Sequence, residues 1–356
     1  MSDDTSRPDE PAEPEEPDGE PAPLAGSRDD DDVIEAYDEP STAASPTPPV
    51  RRRSRLGGIA GLVLVLLALY YPIGMIWVHR VDDDTDFRAP PADALPGASE
   101  AVGVAIALIA REVDEYRWTA NDPFFLPAAA LDNMPNFQQG IFAALSRFAI
   151  ELTDQIGRLR GSSEVDADLE KAAGLLKYPG TVWIFDFSTS LAPTATSEAQ
   201  YRAARRALVR YNERLAQGQA MFERRADNLL ATLDRVAADV GSSSAALDHH
   251  IRDNAGWLID TEADDLFYRV KGRLYAYYLL LDALAADYRN VIEERELGPV
   301  WQQMLGSFEA AAALDPWVVV NGAPDAQILP SHLAAQGFYL LRARTQLREV
   351  TNILLK

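Results

Sequence analysis

The chain has 356 residues, no cysteine and a formal net charge of −22. The absence of cysteine excludes disulfide bonds, thiolate zinc sites, iron–sulfur clusters and cysteine nucleophiles, and an acidic chain lacks the basic face that nucleic-acid binding requires. Residues 1–50 contain 16 acidic and 2 basic residues and almost no aromatic ones. They cannot bury enough apolar surface to offset the entropy lost on ordering, so they are predicted to form a disordered acidic tail.

A single membrane-spanning helix is predicted directly after the tail. Residues 56–78 carry no charge, and at 1.5 Å per residue they span roughly 34 Å, enough for the ~30 Å hydrocarbon core. Trp77 lies near the far end, where the membrane–water interface favours aromatic side chains. The four arginines that flank the near end are Arg51, Arg52, Arg53 and Arg55. This positive charge predicts a membrane protein that spans the lipid bilayer once, with its N-terminus in the cytoplasm and residues 79–356 outside.

A cleaved signal peptide is the alternative for this segment, and it fits less well. The segment starts about fifty residues into the chain and lacks a small-x-small cleavage site. We therefore divide the chain into the tail (1–50), an anchor (51–80), a linker (81–97) and an α-helical domain on the far side of the membrane (98–356).

Helical patterns dominate the predicted domain. Ser99 is expected to cap a helix that contains ten uncharged residues (101–110), a run too short to cross a membrane and therefore expected inside a bundle. Further helices are predicted over residues 137–159, 164–177, 197–240, 261–296, 300–313 and 331–356, with a turn and a separate short helix over 241–254. The fold class is therefore mostly α, a bundle of long antiparallel helices.

Two short segments have strand-like composition. TVWIF (181–185) and WVVVNG (317–322) are β-branched and aromatic, and each is followed by a capping serine, Ser197 or Ser331, before a helix. One hypothesis is that two related halves pair these segments into a short two-stranded ribbon.

The stretch LDNMPNFQQG (131–140) resembles either a catalytic loop or the start of a helix. Asn133 or Asn136 could cap a helix, and Pro135 suits the first turn. An apolar seam then continues from Phe137 at spacings of three and four residues. The helix start accounts for the stretch without any catalytic role.

A metal site is one candidate for chemistry. His249 and Asp253 lie one helical turn apart and could share a metal ion, with Asp260, Asp264 or Asp265 nearby. Two ligands on one helix are weak evidence, because metal sites usually have three or four. The alternative is a solvated polar helix, and no cofactor is predicted.

An anion-binding groove is the second candidate. It would be lined by four arginines: Arg225, Arg342, Arg344 and Arg348. The alternatives are interhelical ion pairs and, for Arg225, a long side chain that reaches the surface from an apolar seam.

Several stretches resemble a known family: YYPIGMIWVHRVDDD, LDNMPNFQQG, FERRADNLLATLDR, KGRLYAYYLLLDAL and HLAAQGFYLLRARTQLREV. They are similar to an uncharacterised bacterial membrane-protein family, domain of unknown function 2333, over about residues 55–356. The resemblance implies a Gram-negative inner-membrane protein with a helical periplasmic domain, and it supplies no catalytic residues.

The sequence favours a non-enzymatic envelope scaffold or partner-binding subunit, whose partner is another envelope protein or a second copy. The anchor and the long amphipathic helices motivate this expectation. One alternative is a periplasmic ligand-binding or sensory domain. Another is a carboxylate- or metal-dependent hydrolase near His249.

Overall fold

The structure is a computed structural model that describes residues 55–78, 80–89, 96–159, 166–185, 192–254, 260–323 and 329–356. The acidic tail and Arg51, Arg52 and Arg53 lie outside these residues. The described part forms ten α-helices and no β-strand, so the prediction of a mostly α-helical fold is confirmed.

The helices have the following bounds: α1 Arg55–Val78, α2 Glu100–Ala110, α3 Asn133–Leu159, α4 Ala167–Leu176, α5 Ser197–Ala216, α6 Ala226–Asn254, α7 Thr261–Asp287, α8 Arg289–Glu294, α9 Gly298–Ala312 and α10 His332–Leu354. A π-helical turn (Arg111–Glu115) extends α2, and a 3-10 turn (Pro127–Ala130) precedes α3.

The predicted helix over 197–240 is two helices in the structure. α5 ends at Ala216 because Gly218 adopts a left-handed conformation, with φ +69°, and the amides of Gln219 and Ala220 both bond the Arg214 carbonyl. α6 then continues through Gly241, where a separate short helix was expected. Ser243 donates its hydroxyl to the Asp239 carbonyl, so this serine is satisfied inside the helix.

α7 is the central helix of the domain. It contacts α2, α3, α6, α9 and α10, and its buried side chains point in every direction around its axis. α3 crosses α7 without side chains between the backbones at Gly140 and Gly272. An added Cβ would lie 2.1 Å from the Arg269 carbonyl oxygen at the first glycine, and 2.0 Å from that of Phe137 at the second. Glycine is therefore required at both positions.

Helix directions follow from pairs of contacts. α2 runs antiparallel to α7, since Ser99 bonds Asp287 at one end while Arg111 bonds Tyr275 at the other. α4 and α5 are also antiparallel. α3 and α7, in contrast, run in the same direction, because Asn136 bonds Asp265 near the start of both helices and Phe148 and Leu281 line one cavity further along.

The ribbon hypothesis is wrong for the described residues. Each strand-like segment bonds the residues just before its own following helix, with Ser197 N donating to Val182 O (3.1 Å) and His332 N donating to Val320 O (3.0 Å). A single antiparallel bridge joins Asn321 and Ser331. Each segment thus bonds the residues before its own helix, and the described residues show no ladder between the two.

α1 is long and apolar enough to cross a membrane. Its segment Gly57–Val78 has a mean hydropathy of 2.3 and is not buried by the domain. It is the one such helix among the residues that the structure describes.

Candidate functional site

The most unusual feature of the domain is the acidic segment that follows α1. This segment, residues 81–86, folds back onto α2 and α7. Its carboxylates and carbonyls contact two almost fully buried cations, Arg111 and Lys271, and Arg111 also pairs with the buried Glu112. We call this arrangement the junction. It joins the apolar helix to the centre of the helical domain.

Arg111 is the first buried cation of the junction. Its Nε lies 2.9 Å from Glu112 Oε1, its Nη1 donates to the Tyr275 hydroxyl at 2.7 Å, and its Nη2 donates to the Asp82 carbonyl at 3.2 Å. The guanidinium also lies over the Phe87 ring, 4.7 Å from its centroid. Every nitrogen of Arg111 is therefore engaged by a neighbour, which fixes the start of the acidic segment against α2.

Burial sets the electrostatics of this pair. Burial alone would lower the pKa of Arg111, but the Glu112 carboxylate and the Tyr275 hydroxyl outweigh it, so the pKa is raised. Burial likewise raises the pKa of Glu112, and the Arg111 guanidinium opposes this only in part. A buried pair of this kind contributes little net stability, but removing one partner would strand the other charge.

The hydroxyl groups of Tyr116 and Tyr275 both donate hydrogen bonds to the acidic segment. Tyr116 donates to Asp82 Oδ2 at 2.5 Å, and this bond raises the pKa of the tyrosine to about 12. Tyr275 donates to the Asp84 carbonyl at 2.8 Å, and burial raises its pKa. Both hydroxyls therefore stay protonated and act as hydrogen-bond donors.

Lys271 is the second buried cation, in the middle of α7. Its Nζ lies 2.7 Å from Asp83 Oδ2 and donates to the Leu314 carbonyl at 2.6 Å. Asp315 is further away, at 3.9 Å. Lys271 thus ties the acidic segment to the turn that ends α9.

The stretch LDNMPNFQQG lies beside the junction and supports it. Gln138 is fully buried; it donates to the carbonyls of Glu112 and Arg117 and accepts from the backbone and hydroxyl of Thr119. It thereby closes a turn in which Arg117 has φ 67°, a conformation uncommon for residues other than glycine. α3 begins at Asn133, with Pro135 in its first turn, as predicted for a helix start.

Asn136 does not cap α3, contrary to one sequence-based option. Its side chain donates to Asp265 Oδ1 at 2.7 Å and accepts from Arg269 at 2.7 Å, so it bonds α3 to α7. Together with Gly140, it shows that the conspicuous stretch serves helix packing.

Three carboxylates gather near these helix starts: Asp132, Asp264 and Asp265. Burial raises the pKa of Asp264 to about 6, and the charges of Asp132 and Asp265 add to the effect. Burial and Asp132 raise the pKa of Asp265 to about 6 as well. The described residues include no group of three or more histidines, cysteines or carboxylates arranged to hold a metal ion.

The predicted metal pair is close in space but open to solvent. His249 Nδ1 lies 2.9 Å from Asp253 Oδ2, and both side chains are largely exposed. Asp260 pairs instead with His250, at 2.7 Å. Within the described ranges, the structure therefore adds no third ligand to His249 and Asp253.

The predicted arginine groove does not come together. Arg225 is exposed and lies 3.0 Å from Asp227, just before α6 begins. Arg344 instead contacts α6 at Gly241, where an added Cβ would lie 3.2 Å from its Cζ. Sixteen residues of a helix span roughly 24 Å, so Arg225 is far from Arg344. Arg342 and Arg348 lie on the exposed face of α10.

Two predicted anchor residues are described. Arg55 is the first residue of α1, and Trp77 lies one residue before its end, with 77% of its surface exposed.

The junction itself was not predicted from the sequence. Two signals could have indicated it. Arg111 and Glu112 directly follow the ten uncharged residues 101–110, and Lys271, one of only four lysines, lies in a strongly apolar helix. A charge within a buried segment requires a partner. The acidic segment 81–86 was the nearest candidate, but it was assigned to a linker.

These features define a class: a helical domain fixed by buried ion pairs to one candidate membrane-spanning helix. A family model described as an uncharacterised protein conserved in bacteria, domain of unknown function 2333, matches residues 59–256. The chain belongs to this family. The match ends before α7 begins, so it covers less of the chain than the sequence resemblance suggested. No curated protein and no solved structure shows a match.

Proposed function

We propose that the chain is an inner-membrane protein with its N-terminus in the cytoplasm and its helical domain in the periplasm. There the domain acts as a non-enzymatic scaffold or partner-binding subunit. The apolar helix α1 and the arginines before it support this placement. The junction supports a role in which α1 holds the domain in a fixed position.

The exposed face of α10 is the observation that carries the partner-binding role. Phe338 and Leu341 are 61% and 59% exposed, one turn apart. Arg342 and Arg348 lie on the same face, and no ion pair to either is found among the described residues. Large apolar side chains flanked by unpaired arginines are typical of protein interfaces. We therefore infer a protein partner that presents apolar and acidic residues.

Photo-crosslinking in the native membrane tests this proposal. Probes would replace Phe338 and Leu341 in the full chain, with a control probe at Arg206, an exposed residue of α5. We expect one dominant protein adduct at both α10 positions and none at the control. The double variant Arg342→Glu, Arg348→Glu should abolish that adduct, because it reverses the charge that the partner meets.

The same crosslinking experiment can contradict the proposal. Equal labelling at all three positions, or no adduct at Phe338 and Leu341, would contradict partner binding by this face. An adduct with a second copy of the chain would identify self-association as the interaction.

The two alternatives remain hypotheses with less structural support. The ligand-binding alternative depended on Arg225 joining Arg342 and Arg344, and the structure separates Arg225 from them. The metal-dependent form of the hydrolase alternative needs further ligands beside His249 and Asp253, and none is found among the described residues.

A further inference from the structure

A continuous apolar surface lies beside the C-terminal half of α1. We propose that this surface lies in the membrane–water interface of the bilayer that α1 spans, where it contacts lipid and holds the domain against the membrane. This inference rests on the membrane placement proposed above. We call the surface the aromatic patch, formed by residues 123–131 and 181–185.

The composition of the aromatic patch suits lipid. Neither segment contains a charged residue. Phe124 is 86% exposed and Phe125 47%, while Leu131, Ile184 and Phe185 are each more than one third exposed. An apolar surface of this kind marks an interaction site, and aromatic side chains concentrate at membrane interfaces.

Contacts with α1 place the aromatic patch at the depth of the bilayer. Tyr71 donates its hydroxyl to the Phe124 carbonyl at 3.0 Å. An added Cβ at Gly74 would lie only 2.3 Å from Pro127, so the turn Pro127–Ala130 packs directly on the helix. Tyr71 precedes the last residue of α1 by seven residues, which is about 10 Å along the axis. A segment bonded there cannot stand clear of the membrane if α1 spans it.

The backbone of the first segment is suited to an environment poor in water. Unpaired backbone groups are costly near lipid. Leu126 N donates to the Pro123 carbonyl, and Ala129 N donates to the Leu126 carbonyl. Pro123 and Pro127 have no N–H group to satisfy. The segment thus lowers the cost of leaving bulk water while its rings remain exposed.

The second segment is held rigidly beside the first. Trp118 donates to the Gly180 carbonyl at 2.7 Å, and Asn121 donates to the Val182 carbonyl at 2.9 Å. The Phe125 and Trp183 rings meet edge to face, with centroids 5.9 Å apart. The rings are therefore ordered before they meet lipid, and binding loses little side-chain entropy.

Lipid explains the aromatic patch better than a protein partner does, because the patch is continuous with the surface of α1. A protein docked there would have to enter the bilayer beside α1 at the level of Tyr71. The lipids surround α1 in any case and need no further recognition.

The cysteine-free sequence permits a direct test by site-directed spin labelling. Phe124→Cys, Leu66→Cys and Phe338→Cys would each be labelled in the full chain. Each protein would be reconstituted in vesicles of phosphatidylethanolamine and phosphatidylglycerol. Oxygen concentrates in the bilayer and a nickel chelate stays in water, so the ratio of their collision rates reports depth. Leu66 lies within the apolar span and Phe338 on the exposed face of α10.

We expect the oxygen-to-nickel ratio at Phe124 to be several-fold higher than at Phe338 and lower than at Leu66. A high oxygen-to-nickel ratio at Leu66 together with equal, low ratios at Phe124 and Phe338 would overturn the inference. It would leave the proposal that α1 spans the membrane intact. Protection of Phe124 from both reagents would also overturn it, since the ring would then be enclosed by protein. A low oxygen-to-nickel ratio at Leu66, typical of a site in water, would overturn the membrane placement itself and the inference with it.

Discussion

Lys271 tests the structural importance of the junction at the scale of one residue. Lys271→Met keeps the side-chain volume but leaves the Leu314 carbonyl without its donor. The free energy of unfolding should fall by about 1–3 kcal/mol, as for a buried group left unsatisfied. Denaturant titration of the full chain in detergent, followed by circular dichroism, measures this. Lys177→Met is the matched control on an exposed lysine, and an equal loss there would contradict the assignment.

Replacing Gly140 by alanine and replacing Gly174 by alanine should change the free energy of unfolding in opposite directions. An added methyl at Gly140 meets the α7 backbone at 2.1 Å, whereas Gly174 in α4 has open space around it. Gly140→Ala should lower the free energy of unfolding by about 1–3 kcal/mol, the usual cost of overpacking. Gly174→Ala should raise it by up to ~1 kcal/mol through helix propensity. Equal signs in the same titration would show that α3 and α7 do not cross at Gly140.

Asp264 should make the domain less stable as the pH rises. Its pKa of about 6 in the folded state exceeds the ordinary value of 3.8, so the folded chain binds more protons between these values. The stability that protonation contributes is complete below pH 3.8 and lost as pH rises through 6. As the pH rises from 4 to 7, the stability of Asp264→Asn should therefore increase relative to that of the native chain. We expect a change on the order of 1 kcal/mol, since solvent screens this half-exposed group.

Denaturation midpoints of both proteins at four pH values in this range check the sign. A difference that stays constant with pH would mean that Asp264 titrates normally. The carboxylates whose pKa is lowered, such as Asp166 and Asp227, act on both proteins alike and cancel in the comparison.

Single residues also show what the sequence could predict. Ser99 and Ser331 cap α2 and α10 as expected, because a cap depends on local chain geometry. Thr196 and Asp260 cap α5 and α7, each one residue before the predicted start. The partners of Arg111 and Lys271 come from distant parts of the chain, and periodicity carries no information about such pairs.

At the scale of elements, the contact between α1 and the turn Pro127–Ala130 is open to test. Gly74→Ala inserts a methyl against Pro127, whereas Gly61→Ala adds one where nothing lies within 4 Å. Spin labels at Leu66 and Arg206 would report the distance from α1 to the domain. We expect Gly74→Ala to broaden or shift the distance distribution and Gly61→Ala to leave it unchanged. Identical distributions in both variants would mean that the turn does not hold α1.

Element lengths were predicted where the apolar period continues and missed where a local bond interrupts it. The apolar period that predicted one helix over 197–240 continues past Gly218, although the chain turns there. The strand-like segments 181–185 and 317–322 have the composition of strands, but backbone groups at the start of each following helix bond them first. Residue composition indicates a preference for strand, but the backbone groups that lie nearest determine whether a strand forms.

At the scale of the whole molecule, the proposed orientation can be tested by chemical labelling. Ser45→Cys places a thiol in the acidic tail and Thr345→Cys places one on the exposed face of α10. A maleimide that cannot cross the inner membrane should label Thr345→Cys in spheroplasts and Ser45→Cys only after lysis. The reverse pattern would invert the topology, and labelling of both in intact spheroplasts would contradict a spanning α1.

The fold class and the apolar helix were predictable because each depends on patterns within one segment. The junction and the aromatic patch were not, since both arise from segments that the fold brings together. Asp83 and Lys271 are 188 positions apart in the chain but form an ion pair in the structure.

The junction also determines how this domain would meet other molecules. A free linker over residues 81–97, seventeen residues if extended, would let a domain range roughly 55 Å from its anchor. Here the chain is secured to α2 and α7 within six residues of the end of α1. On the proposed placement in a bilayer, the domain would move together with α1 at a fixed height and tilt and would meet neighbours by lateral diffusion. Its partners would then need binding surfaces at the same height above the bilayer.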